Sequence, residues 1–202
     1  MGLDFSYMLY FKREMIWDVL QGVIENADPH KEPAIIHFPD RDWSVPLDTW
    51  GLEGNEYKCT DPEFSFALVL NFIEDESIRD YKNRLDQGDE FRGPPEPGEE
   101  RVISIGYIYL TIYQEIPEEP PTDLVLFDFG TTGTRMSLLF EESSSIRAYF
   151  LSLLKRYTGS CGVFNREDTG EVFWLNGVEM AETIDDAYML PEEIEEKLMR
   201  HK

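Results

Sequence analysis

Apolar side chains recur every three or four positions between residues 144 and 157. They fall on one stripe of a helix with about 3.6 residues per turn. The six positions are Ile146, Tyr149, Phe150, Leu153, Leu154 and Tyr157. Serines at 143–145 can cap the start, and Gly159 suits the left-handed position that ends a helix. The pattern predicts an amphipathic helix over Ser144–Tyr157.

Short runs of β-forming residues flank this helix. Met136–Phe140 is predicted as a strand before it. Cys161–Asn165 and Glu171–Leu175 are predicted as a hairpin after it, with a turn at residues 168–170. The unit therefore has the order strand, helix, strand, strand.

The same order is predicted near the N-terminus. Tyr7–Phe11 is a predicted strand, Arg13–Ala27 a helix, and Ala34–Phe38 with Trp43–Leu47 a second hairpin. One constant offset relates the apolar positions of the two helices and also the two strands before them. This correspondence predicts an internal β-α-β-β pseudo-duplication. The order resembles duplicated modules such as the gyrase-inhibitor-like family, which bind small ligands, although no motif accompanies it.

Two long strands are predicted between these units. Phe64–Phe72 is apolar at nearly every position, which predicts a central strand covered on both faces. Arg101–Gln114 is the longest predicted strand. Strict alternation assigns its side chains to two faces. One face takes Ile103, Ile105, Tyr107, Tyr109 and Tyr113, and the other takes Val102, Gly106, Ile108, Leu110 and Ile112.

The remaining segments are shorter. A helix is predicted around residues 78–85, a strand at Asp123–Phe129 and an acidic linker at Glu179–Asp186. The glycines and prolines of Asp86–Glu100 predict a disordered loop or a mobile lid. Pro191 is placed to open a C-terminal helix.

These elements predict an α+β protein with a largely antiparallel sheet of eight to ten strands and two main helices on one face. We expect one domain over residues 1–202. In it, lobes 5–47 and 134–176 flank inserted strands within 64–129, and a C-terminal helix over 191–200 follows.

The charge of the chain is more informative about its function than its composition is. The chain has 18 lysines and arginines against 41 aspartates and glutamates, a net charge of −23. The acidic residues are spread along the whole chain. Such a surface disfavours nucleic acid and anionic membranes and attracts a basic protein. The alternative is that the charge only keeps the protein soluble.

The cysteines and the hydropathy bear on location. Cys59 and Cys161 are far apart and in no metal-binding spacing, which favours reduced thiols in the cytoplasm. No apolar run approaches the roughly 18 residues that span a bilayer. The sequence does not indicate an oligomeric state.

One segment carries a phosphate-loop pattern. Leu124–Thr134 reads Leu-Val-Leu-Phe-Asp-Phe-Gly-Thr-Thr-Gly-Thr. It resembles the first phosphate loop of the actin-like and heat-shock-type ATPases, which implies that Asp128 organises metal and water. That family also needs a second phosphate loop and an adenosine loop, and neither follows. The interpretation we favour is a hairpin turn in which Gly130 and Gly133 take positive φ.

Candidate catalytic and metal-binding groups are few. His37 precedes Asp40 and Asp42, a combination that can bind metal or transfer protons. We expect strand alternation and the turn to point these side chains apart. No zinc spacing or nucleophile motif occurs. The sequence predicts no metal, no cofactor and no catalytic residues.

Two functions remain as hypotheses. The first is a non-catalytic module that binds a basic protein, as immunity proteins and nucleic-acid mimics do. The second is a small-molecule-binding domain, or a minor enzyme, with an aromatic cleft between the lobes. The candidate ligand-binding residues are Tyr107, Tyr109, Tyr113, Trp43 and Trp174.

Overall fold

The computed structural model describes residues 2–50, 54–85, 93–117, 119–167 and 169–200. The strands are β1 (Ser6–Lys12), β2 (Ala34–His37), β3 (Asp42–Val45), β4 (Asp48–Thr49), β5 (Glu56–Lys58), β6 (Glu63–Ile73), β7 (Val102–Tyr113), β8 (Leu124–Gly130), β9 (Cys161–Asn165), β10 (Gly170–Leu175) and β11 (Val178–Ile184). The helices are α1 (Ile16–Ile24), α2 (Glu76–Leu85), α3 (Thr134–Glu142), α4 (Ser144–Arg156) and α5 (Pro191–Arg200). A 3-10 turn, Arg13–Met15, leads into α1.

Eight strands form one antiparallel sheet in the order β11-β10-β9-β1-β8-β7-β6-β4. Strand β1 lies in the middle, where Met8 is opposite Asp128 of β8 on one side and Val163 of β9 on the other. A smaller sheet has the order β3-β2-β5, and its β2–β5 pairing is parallel. The α+β class and the largely antiparallel sheet are confirmed.

Helices α1 to α4 cover one face of the large sheet, which we call the first face. The main hydrophobic core lies between them and includes Leu20 of α1, Phe140 of α3 and Phe150 of α4. The small sheet packs against the same core through Ala34 and Ile36. Both helices that the sequence predicted as principal, α1 and α4, therefore lie on one face.

The opposite face, the second face, is covered only over part of its width. Helix α5 contributes Ile194 to a smaller core with Met8, Leu126 and Val163. No described residue of β6 belongs to this core, and β7 reaches it only through the partly buried Tyr113. The half of the second face formed by β7, β6 and β4 therefore has no helix over it in the described part of the chain.

This arrangement corrects the prediction for β6. The burial of its side chains alternates strictly, with every second residue from Phe64 to Phe72 buried on the first face. Only the two-residue β4 lies beyond it in the sheet. Strand β6 is thus almost at the edge and covered on one face only.

A β-bulge corrects the predicted faces of β7. Ile105 and Gly106 together oppose Leu70, because the register shifts between Val69 and Asn71. Gly106 has a φ of 104°, a conformation that favours glycine. The extra residue shifts the alternation of side chains by one position. The buried side chains before and after it therefore all point to the first face. They are Ile103, Ile105, Ile108, Leu110 and Ile112.

Two further predictions are wrong. Met136–Phe140 is part of helix α3, because Met136, Leu139 and Phe140 are spaced to bury one helical face. The first strand of one predicted repeat therefore corresponds to a helix in the other, and the pseudo-duplication stays a prediction. Glu179–Asp186 is not a linker, since most of it forms β11.

The hairpin of β10 and β11 turns at two residues with positive φ. These are Asn176, at 47°, and Gly177, at 89°. Such angles define the two-residue turn that asparagine and glycine favour. Within the predicted loop Asp86–Glu100, positions 86–92 lie outside the described residues, and 93–100 contain no helix or strand.

Candidate binding face

The uncovered half of the second face carries a row of aromatic side chains. We call the side chains of β4, β6 and β7 on this half, together with Trp50 and the bordering Asp128, the open face. Trp50 and Tyr107 are each 55% exposed. The ring of Trp50 lies 4.1 Å from that of Tyr109, measured between centroids. Exposed aromatic rings next to one another are typical of protein-binding surfaces.

Strand pairing determines which polar groups lie beside these rings. Thr111 is opposite Ser65 of β6 and Asp128 of β8. The hydroxyl oxygens of Ser65 and Thr111 are 3.3 Å apart. Glu63, opposite Tyr113, adds a second carboxylate. None of the β6 and β7 residues on this face is a lysine or arginine, so the open face is aromatic and acidic.

Asp128 is the electrostatically unusual residue of the open face. Its side chain is partly exposed, but its Oδ1 atom is buried and has no hydrogen-bond partner among the described residues. Burial raises the pKa of this carboxyl to about 6. A hydrogen bond from the Ser6 hydroxyl opposes that rise, and the nearby Asp4 adds to it.

Tyrosines surround this carboxylate. Burial raises the pKa of Tyr188 to about 12, and the negative charge of Asp128 contributes. Burial also raises the pKa of Tyr113, again with a contribution from Asp128. The hydroxyl of Tyr10 is buried and has no partner within the described residues. Asp128 therefore lies among phenol rings at the border between the open face and the smaller core.

The structure brings together three of the five predicted ligand-binding residues. Tyr107, Tyr109 and Tyr113 all lie on the open face, because the bulge leaves them on the side opposite the buried isoleucines. Trp43 lies elsewhere, in the small sheet against Trp17. Trp174 is buried in the main core, and its indole nitrogen donates a hydrogen bond to the Gly159 carbonyl at 2.8 Å.

Sequence reasoning did not assign Trp50 or Tyr188 to the site. Trp50 follows a strand of only two residues, which no periodicity can reveal. Tyr188 lies in an irregular segment between β11 and α5. The hairpin before that segment had a usable signal, the Asn176-Gly177 dipeptide between apolar residues.

The segment with the phosphate-loop pattern, Leu124–Thr134, does not form the predicted hairpin turn. Asp128 lies inside β8, and the turn leads into helix α3. Neither Gly130 nor Gly133 has a φ in the left-handed region. The Thr134 hydroxyl accepts a hydrogen bond from the Leu3 amide at 3.0 Å, so it is used in fixing the N-terminal segment.

The His37 cluster also differs from expectation. His37 is directly opposite Asp42 across the β2–β3 hairpin, and their side chains are hydrogen bonded at 2.8 Å. Glu56 of β5 approaches the other ring nitrogen at 3.3 Å. Hydrogen bonds to Asp42 and Glu56 raise the pKa of His37. No group of three or more histidines, cysteines or acids in the described residues is arranged to hold a metal ion.

A second acidic surface lies at the free edge of the large sheet. Strand β11 ends the sheet, and α5 packs beside it. Eight exposed carboxylates occur here: Glu179, Glu182, Asp185, Asp186, Glu192, Glu193, Glu195 and Glu196. Two cations of α5 offset part of this charge, Lys197 with Asp185 at 3.0 Å and Arg200 with Glu196 at 3.1 Å.

A groove of about 680 Å³ lies between α4 and the ends of β6 and β7. Its walls include Phe72, Ile73, Val102, Ala148 and Tyr149. Its surface is mostly apolar, and it adjoins the open face, because Ile73 and Val102 belong to the ends of β6 and β7.

None of the helices in the described ranges combines the length and hydrophobicity that a membrane crossing requires. Comparisons with protein-family models, with curated proteins and with solved structures find no match to this chain.

Proposed function

We propose that the protein is a non-catalytic interaction module that binds a basic protein through the open face. The observation that carries this proposal is the exposed Trp50 ring in contact with the half-buried Tyr109 ring beside carboxylates, on strands that present no cation there. Aromatic residues supply most of the binding energy in many interfaces, and complementary charge selects the partner.

The charge of the whole chain supports the same partner class. A net charge of −23 creates a negative potential that accelerates encounter with a basic protein and repels nucleic acid. The acidic surface of β11 and α5 adds to this potential. Both cysteines are unpaired, which is in keeping with the cytoplasmic location that we propose for the module.

The test is capture from lysate at low salt with three versions of the tagged protein. The first is unaltered, and the second carries Trp50→Ala and Tyr107→Ala. The third carries Val178→Ala and Met199→Ala, which remove exposed apolar side chains far from the open face. We expect one basic protein to be retained by the first and third versions, lost by the second, and released as salt rises.

Equal capture by all three versions would show that the open face is not the binding surface. Release that is independent of salt would remove the electrostatic part of the proposal. Circular dichroism and melting of each version establish beforehand that the substitutions leave the fold intact.

A second candidate function rests on the groove beside α4. Its volume and apolar walls suit a small organic ligand. A melting screen against small apolar compounds tests this, with Ala148→Trp as the variant that fills the groove. Compounds that stabilise the unaltered protein and not the variant would support it. Equal stabilisation of both would refute it.

A further inference from the structure

We propose that the partner inserts a lysine side chain at the border of the open face, where its ammonium group contacts Asp128. This inference rests on the proposed function and specifies the chemistry of the same face. Its basis is the Oδ1 atom of Asp128, which is buried and has no hydrogen-bond partner in the part of the chain that the structure describes. A buried carboxylate oxygen without a partner is costly, and a bound cation would remove that cost.

The geometry favours an ammonium group over a guanidinium group. The Ser6 hydroxyl is near enough to the Asp128 carboxylate to lower its pKa, and Oδ1 is the carboxylate oxygen that has no hydrogen-bond partner among the described residues. Arginine binds carboxylates most favourably through two parallel hydrogen bonds to both oxygens. Lysine carries a compact charge that needs one oxygen only, so it fits the single acceptor here.

The surroundings of Asp128 suit the rest of a lysine side chain. The described ionisable groups whose charges interact with it are Asp4, Tyr10, Tyr113 and Tyr188, and none of these four is a cation. Tyrosine rings attract ammonium groups through their faces, and the methylene chain of lysine packs on apolar surface. Among the described residues, no lysine or arginine of this chain forms an ion pair with Asp128.

Binding of an ammonium group at Asp128 must be linked to pH. The ionised carboxylate binds the cation, whereas the protonated acid does not. Because the pKa of Asp128 is raised to about 6, affinity should increase as pH rises through that value. Between pH 5 and pH 7 the ionised fraction rises about tenfold, and we expect the association constant to rise by about the same factor.

The test uses the full chain, nuclear magnetic resonance and three small probes. The probes are Nα-acetyl-lysine methylamide, its arginine counterpart, and the norleucine counterpart, which has a similar chain and no charge. We expect the lysine probe to shift the amide signals of Thr111, Asp128 and Tyr188. The arginine probe should bind more weakly, and the norleucine probe should cause no shift there.

Two variants complete the test. Asp128→Asn preserves the shape of the side chain and should abolish both the shifts and the pH dependence. Asp80→Asn removes a carboxylate on the exposed side of α2 and should change neither. The comparison of probes on the unaltered chain gives a result even if Asp128→Asn does not fold.

The inference is wrong if Asp128→Asn binds the lysine probe as the unaltered chain does, or if arginine binds more tightly. The capture experiment separates this failure from failure of the proposed function. Loss of the partner with Trp50→Ala and Tyr107→Ala, together with retention by Asp128→Asn, would refute the lysine contact alone. Retention by both variants would refute both proposals.

Discussion

At the scale of single residues, Gly106 determines which side chains of β7 lie on the open face. The bulge at Ile105 and Gly106 leaves Tyr107, Tyr109 and Tyr113 on the open face and keeps the isoleucines in the core. Without the extra residue, Ile103 and Ile105 would lie on the face opposite to Ile108, Leu110 and Ile112. The conformation of one glycine therefore maintains both the core and the candidate site.

We predict that Gly106→Ala destabilises the protein by about 1–3 kcal/mol, because a φ of 104° strains any residue with a side chain. For a chain of this size that corresponds to a loss of roughly 2–12 °C in melting temperature. Thermal unfolding measures it. The matched control is Gly93→Ala, where an added methyl group has no atom within 4 Å. An unchanged melting temperature for Gly106→Ala would contradict the strain argument.

Some residues of the candidate site could be predicted from the sequence and others could not, and strand β7 shows why. Tyr107, Tyr109 and Tyr113 could be placed on one face because alternation holds within Tyr107–Tyr113. Their relation to Ile103 and Ile105 could not be predicted, because a bulge depends on the pairing with β6. Asp128 could be singled out only through a phosphate-loop pattern, and its burial among tyrosines depends on the tertiary fold.

At the scale of elements, Asp75 connects the starts of two helices. Its carboxylate accepts hydrogen bonds from the Ile78 amide of α2 at 2.9 Å and from the Ser145 amide of α4 at 3.0 Å. The Ser143 hydroxyl also donates to it, at 2.8 Å. Burial alone would raise the pKa of Asp75, but these hydrogen bonds outweigh burial and lower it.

We predict that Asp75→Ala destabilises the protein by about 2 kcal/mol, since a lost N-cap costs about 1 kcal/mol and this residue serves two helices. Chemical denaturation measures the loss. Asp80→Ala, an exposed carboxylate of α2, is the control and should have little effect. A value near zero for Asp75→Ala would mean that water replaces both caps.

Helices and strands could be predicted from the sequence where the residues within them determine their structure. Helix α4, the hairpin β9–β10 and the long β7 follow local periodicity and turn residues. The strand prediction for Met136–Phe140 failed because a short apolar run fits a buried strand or a helix equally well. Strand β11 was missed because its exposed, charged residues resemble a linker and only its pairing with β10 makes it a strand.

At the scale of the whole molecule, an ion network attaches β10, the strand beside the edge of the large sheet, to helix α4. Glu171 of β10 receives hydrogen bonds from Arg147 of α4 at 2.6 Å and from Arg166 at 2.9 Å. Burial would raise the pKa of Glu171, but the two arginines outweigh it and lower the pKa. A lowered pKa in the folded state stabilises the protein above the unfolded pKa, and this stability is lost as pH falls through the folded value.

We predict that, at acid pH, the free energy of unfolding of Glu171→Gln changes less with pH than that of the unaltered protein. The slopes of the two proteins should differ most between the lowered pKa of folded Glu171 and the usual pKa of glutamate. Near neutral pH the two slopes should be the same. Denaturation series from pH 3 to pH 7 measure it. Glu179→Gln, whose partner Lys155 lies on the surface, is the control. Identical slopes for Glu171→Gln and the unaltered chain would contradict the assignment.

The position of β1 has a kinetic consequence. Its two neighbours in the sheet, β8 and β9, come from distant parts of the chain, so its central place can form only after long loops have closed. Chains dominated by such distant pairings fold slowly. Until β8 and β9 arrive, the apolar run from Tyr7 to Phe11 has no partners, and a chaperone that recognises exposed apolar segments would find its binding site there.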